Sequence, residues 1–182
     1  GRANGAGADR IVVGGHSAGG HLAAMMLARD WRSDGFASCP VAAGLSLSGV
    51  HDLRPLVRFS GNADFKLDDA EAARLSPALM RPTTTAPLAI AVGGAETGEF
   101  LRQAQLMWDA WPVNRPAGMV GPLVVPGTHH FDVVVEHAHV HDHYGDLLGR
   151  ESAASLNQVD AARAAHQRAR SLRETALAKH PD

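Results

Sequence analysis

Short apolar runs divide the chain at intervals. Residues 11–13, 41–48, 88–92 and 119–125 are each rich in Val, Ile, Leu or Ala and of strand length. Between them the apolar residues take a helical period. In 18–31, Leu22, Met25 and Met26 stand at i, i+3 and i+4. In 99–111, Phe100, Leu101, Ala104, Met107, Trp108 and Trp111 fall near one face. Asp68 or Asp69 can cap a helix reaching about Leu75, and 54–59 reads as a short helix. A further helix is expected over about 132–148. This alternation predicts an α/β fold. Strands near 10–14, 41–48, 88–93 and 119–125 should be parallel neighbours in that order, with 11–13 a buried strand.

The first strand runs into Gly14-Gly15-His16-Ser17-Ala18-Gly19-Gly20, and an Ala/Leu/Met helix follows at once. Ser17 thus sits on a strand-to-helix turn within the pattern G-x-S-x-G. Such a turn strains the serine backbone and exposes its Oγ above the sheet. Side chains two residues before and after are expected to collide there, which accounts for Gly15 and Gly19. The helix N-terminus aims the Ala18 N–H at the turn, where it can support an oxyanion. A glycine-rich loop with a bystander serine is the alternative; the strand before and the helix after argue against it.

A serine nucleophile needs a base, and the base needs an orienting acid. Beside such an elbow these follow in the order Ser, Asp/Glu, His, at the ends of later strands. Glu96 follows the third strand, in Gly93-Gly94-Ala95-Glu96, and His130 follows the fourth, in Thr128-His129-His130-Phe131. They are the expected acid and base. His129 competes with His130. Asp52 competes with Glu96 but follows the second strand, one too early. Glu99 reads as a charge complementing a helix N-terminus.

His137, His139, His141 and His143 with Asp142 miss the binuclear metal pattern H-x-H-x-D-H. On a helix only His137/His141 and His139/His143 pair, so a solvated face is preferred to a zinc site. Residues 151–179 are rich in Ala and Arg and read as one long, weakly amphipathic helix. Packing on the domain, pairing with a second copy and fraying are all open to it. The expected division is a core over 1–150 and a helical tail over 151–182, with homo-oligomer formation left open.

Composition narrows the function classes. At 182 residues, 45% hydrophobic and 20% charged, the chain can bury one sizeable core. A net charge of -2 favours neither nucleic acid nor an anionic membrane. No apolar run approaches spanning length. The single cysteine, Cys39, fits a reducing compartment, so a cytoplasmic location is expected. The chain starts at Gly1 and reaches the serine by residue 17, so an N-terminal part, with any signal peptide, is expected to be missing.

The segment from Gly14 to Leu22 resembles the elbow of α/β-hydrolase esterases. Ser48-Gly49-Val50-His51-Asp52-Leu53-Arg54-Pro55-Leu56, Leu75-Ser76-Pro77 and the segment from Gly94 to Gln103 resemble more narrowly the kynurenine formamidase (arylformamidase)-like branch. The resemblance runs from about Arg10 to Glu136. It implies the C-terminal half of a three-layer α/β-hydrolase sheet. It also implies Ser17 as nucleophile, Glu96 as acid, where the formamidase has Asp, and His130 as base. Family members carry an upstream His-Gly-Gly loop that supplies further oxyanion donors; this chain has none. The implied reaction is serine-dependent hydrolysis of a carboxylic ester or an N-formyl aryl amide through an acyl-enzyme, without metal or organic cofactor. A general carboxylesterase and a non-catalytic hydrolase fragment are the alternatives.

Overall fold

The computed structural model describes residues 11–134. The chain divides into two compact units, Gly1–His130 and Phe131–Asp182. Of the second, only 131–134 are described, a turn that enters the start of a helix. Most of the helix expected over 132–148, the histidines from His137 to His143, and the tail over 151–182 lie outside the described residues.

In the first unit the order is β1 (Ile11–His16), α1 (Ala18–Ala28), β2 (Val41–Leu47), α2 (Asn62–Phe65), α3 (Asp69–Arg74), β3 (Leu88–Gly93), α4 (Gly98–Ala110) and β4 (Leu123–Val125). Short 3-10 turns cover Arg54–Arg58, Pro77–Leu79 and Pro112–Asn114. The strands form one parallel sheet in the order β1-β2-β3-β4. Gly15 stands opposite Ser46, Ser46 opposite Ile90, and Ala91 opposite Leu123. All four strands therefore end on the same side of the sheet, which gathers the loops after them at one rim.

Burial of two helix faces holds this arrangement. Ala24 and Leu27 of α1 and Ala104, Met107 and Trp108 of α4 enter one buried cluster with Val41, Leu88, Ile90 and Val92. Each large side chain removed from water there contributes about 1.5–3 kcal/mol. Asp68 caps α3, its carboxylate accepting the Glu71 N–H at 2.7 Å.

The structure corrects several boundaries. The helix expected to reach Trp31 stops at Ala28, because the chain turns back and the Trp31 indole N–H donates to the Met26 carbonyl at 2.8 Å. The strand expected over 119–125 shrinks to Leu123–Val125. Pro122 has no N–H to give the ladder, and Gly121 precedes it. The 11–13 run is not buried as expected: Ile11 and Val12 are 47% and 50% exposed. Among the described residues β1 is an edge strand with β2 as its neighbour. The α2 turn had no periodic signal. The Asn62 side chain makes it, donating to the Val57 and Leu67 carbonyls and accepting the Leu67 N–H.

Candidate active site

Ser17 lies between β1 and α1 with φ 57° and ψ -117°, a conformation L residues rarely hold. Its N–H donates to the Leu47 carbonyl at 2.9 Å, which fastens the turn to the end of β2. Although Ser17 occupies the N-cap of α1, its hydroxyl makes no capping bond. It faces His130 instead, with Oγ 3.1 Å from Nε2. Ala18 is the first residue of α1, so its N–H has no partner within the helix.

The glycines divide unequally. A Cβ on Gly15 would stand 2.4 Å from the Gly19 carbonyl carbon, so the elbow closes only around glycine there. A Cβ on Gly19 meets nothing within 4 Å. The expected collision is therefore confined to position 15, because Gly19 contributes the backbone that position 15 would strike.

Glu96 sits in the loop between β3 and α4 with its side chain fully buried. Its Oε1 accepts the Gly93 N–H at 2.8 Å and the Ser48 hydroxyl. Its Oε2 lies 2.6 Å from His130 Nδ1. A carboxylate can only accept, so Nδ1 carries the proton and Nε2 turns a lone pair toward Ser17. The loop is built closely: a Cβ on Gly93 would stand 2.4 Å from the Thr128 carbonyl oxygen and 3.0 Å from Glu96 Oε1. Ala95 N–H donates to that same Thr128 carbonyl at 2.9 Å, joining the Glu96 loop to the His130 loop.

Among the described residues, the ring of His130 also touches His16 and Phe100, to which sequence reasoning gave no part in the site. His16, just before Ser17, stacks at 4.5 Å between ring centroids and donates its Nε2–H to the His130 carbonyl at 2.7 Å. Burial, aided by the neighbouring His130, pushes the His16 pKa below its usual value and keeps its ring neutral at pH 7. Phe100 of α4 packs at 4.2 Å. Position within the elbow motif could have marked His16, and the helical face could have marked Phe100.

The competitors are otherwise engaged. His129 is exposed, and its Nδ1–H donates to the Ala95 carbonyl at 2.9 Å. The Asp52 carboxylate takes both arms of Arg54 at 2.8 and 3.0 Å, with Arg102 3.6 Å away. The hydrogen bond from Arg54 holds its pKa below the usual carboxylate range. Glu99 pairs with Arg102 at 2.8 Å. Gln103 of α4, also missed, accepts the His51 and Asp52 N–H groups at 2.8 and 2.7 Å and so pins the loop after β2. A separate open cavity of about 720 Å³ lies toward the other end of the strands, beside Cys39 and Thr83, and holds none of the three residues. Among the described residues no helix is long and apolar enough to cross a membrane.

Under the elbow, Ser46 and His51 are both buried, with Oγ and Nε2 3.1 Å apart. Burial pushes the His51 pKa down to about 3, with nearby His21 adding to the effect. An unfolded chain takes up this proton below about pH 6.5, whereas the folded chain refuses it until about 3. Stability should therefore fall as pH drops through that window, by up to about 1.4 kcal/mol per pH unit from this group. Thermal melts between pH 7 and pH 5 should show a shallower acid slope in His51→Gln than in wild type. Equal slopes would remove His51 as a source of acid sensitivity.

No family model matches the chain. It is 31% identical over 131 residues to a kynurenine formamidase of Salmo salar, an alignment covering 68% of this chain and 43% of that protein. Among solved structures, a protein of Silicibacter sp. TM1040 assigned as a thioesterase is 32% identical with a TM-score of 0.60. That match covers 84% of this chain and 52% of that one. The Thermogutta terrifontis esterase Est2 superposes with a TM-score of 0.54 at 21% identity, over 76% of this chain and 55% of its own. The chain thus spans less than half the length of the curated relative and about half that of the solved structures. The parallel sheet and its flanking helices are those of an α/β-hydrolase. Within that class the chain is formamidase- and esterase-like.

Proposed function

We propose that this chain carries the nucleophile, base and acid of a serine hydrolase acting on a carboxylic ester or an N-formyl aryl amide. One observation carries the reading: the relay from Ser17 Oγ to His130 at 3.1 Å and from His130 to Glu96 at 2.6 Å. Ser17 Oγ attacks the substrate carbonyl while His130 Nε2 takes its proton. Glu96 orients the imidazole and supports the imidazolium. The Ala18 N–H donates to the developing oxyanion. The tetrahedral intermediate collapses as His130 gives the proton to the departing alcohol or arylamine. Water, deprotonated by the same histidine, then releases the acid and frees Ser17. The formamidase likeness favours a formyl acyl group and an arylamine leaving group.

The test is turnover of N-formylkynurenine against short p-nitrophenyl esters and a short acyl thioester, using the full-length protein that contains this chain. Formamide hydrolysis well above ester hydrolysis supports the narrower reading, and the reverse makes the protein a general carboxylesterase. No turnover and no labelling by an organophosphate would leave it a non-catalytic hydrolase fold. Glu96→Ala should lower kcat by about 10⁴-fold, less than removal of the nucleophile, because Glu96 acts on the base and not on substrate.

A further inference from the structure

The serine hydrolase reading gives no part to Ser48, a buried residue beside the site. Ser48 follows the last residue of β2, is 1% exposed, and holds φ 48°. That left-handed backbone costs a non-glycine residue of order 1–3 kcal/mol and persists only where the surroundings enforce it. Here its N–H donates to the Ala91 carbonyl of β3 at 2.7 Å, fixing the turn, and its hydroxyl donates to Glu96 Oε1. Nothing in the path of the chain requires a hydroxyl at this point; among the described residues its partner is the Glu96 carboxylate.

We propose that Ser48 is a positioning residue for the base, acting through Glu96. A glutamate side chain has three rotatable bonds and loses much rotamer freedom when it is fixed. Two donors close on one oxygen, the Gly93 N–H and the Ser48 hydroxyl, and leave Oε2 directed at His130 Nδ1. The Gly93 donor lies three residues away, in the same loop as Glu96. Ser48 comes from a different strand end and therefore ties the carboxylate to the rim of β2, where the Ser17 N–H is also anchored through the Leu47 carbonyl. The carboxylate and the elbow are thus referenced to neighbouring residues of one strand. Without Ser48, Glu96 retains one anchor and the imidazolium loses part of its support.

This inference rests on the reading of Ser17, His130 and Glu96 as nucleophile, base and acid, and its test separates the two. In the full-length protein, Ser48→Ala and Ser48→Gly both delete the hydroxyl, and glycine adopts φ 48° without strain. Each should lower kcat about tenfold, the scale of one hydrogen bond to a charged group, with KM within about twofold. In a Glu96→Ala background, removing Ser48 should cost almost nothing more, since its effect passes through the carboxylate. Proton NMR gives the same answer without turnover: the His130 Nδ1–H, held by Glu96 Oε2 at 2.6 Å, should exchange with solvent faster in both Ser48 variants. If turnover survives Ser17→Ala while His130 Nδ1–H exchange still quickens in the Ser48 variants, the hydrolase mechanism fails and the positioning role stands. If Ser17→Ala abolishes turnover but the Ser48 variants keep wild-type kcat and wild-type His130 Nδ1–H exchange, the positioning role fails. A rate loss that persists in full on Glu96→Ala, or the failure of both Ser48 variants to fold, also overturns it.

Discussion

Ser17→Ala in the full-length protein is expected to lower kcat by about 10⁵–10⁶-fold and to abolish covalent labelling by an organophosphate, with KM and melting temperature nearly unchanged. His130→Ala should come close to the same loss, because a serine hydroxyl without a base is a poor nucleophile at neutral pH. The double variant should be little worse than either single one, since both residues serve one proton transfer. The expectation rests on geometry: one nitrogen of His130 is committed to Glu96, and the other lies 3.1 Å from Ser17 Oγ. Additive losses in the double variant would mean the two residues act separately. Full labelling of Ser17→Ala would place the nucleophile elsewhere.

The second large effect is on stability and comes from one methyl group. Gly15→Ala would put a Cβ 2.4 Å from the Gly19 carbonyl carbon and 2.5 Å from its oxygen. Both are backbone atoms of the first turn of α1, so neither can rotate aside. The helix must shift off the sheet, and Ala24 and Leu27 of the core cluster lie on that helix. A destabilisation of about 3 kcal/mol is expected, the upper range for overpacking, with loss of turnover as the elbow opens. Gly19→Ala is the control. Its Cβ meets nothing within 4 Å and it sits in a helix, so its melting temperature should match or slightly exceed wild type. Circular-dichroism melts of the two variants decide the matter: similar curves would show that the elbow relaxes and that the crowding at position 15 is harmless.

Much of the architecture was legible because it depends on period and punctuation. Apolar runs alternating with 3.6-residue patterns specify parallel strands joined by helices, and such strands end at one rim. That alone set Ser17, Glu96 and His130 after the ends of the first, third and fourth strands. The misplaced boundaries have local causes that a period cannot carry: the Trp31 indole reaching back to Met26, the missing N–H of Pro122, and the Asn62 side chain folding α2 around itself.

What only the tertiary structure decided is which polar groups share a hydrogen bond, since that depends on distances between residues far apart in the chain. Asp52 and Glu96 each bring a carboxylate to a strand end, yet Arg54 and Arg102 occupy the first and His130 faces the second. His129 and His130 are adjacent, and only the turn between the loops sends one ring to the Ala95 carbonyl and the other to Ser17. Ser48, His16, Phe100 and Gln103 lie within segments the sequence marks, but nothing in those segments assigns them their partners. They matter through partners 48, 114, 30 and 52 residues away, and a separation of that size leaves no periodic trace. The sequence by itself determined the fold class and the strand ends from which the site is built. The packing of α1 and α4 on the sheet decided which of the side chains at that rim meet.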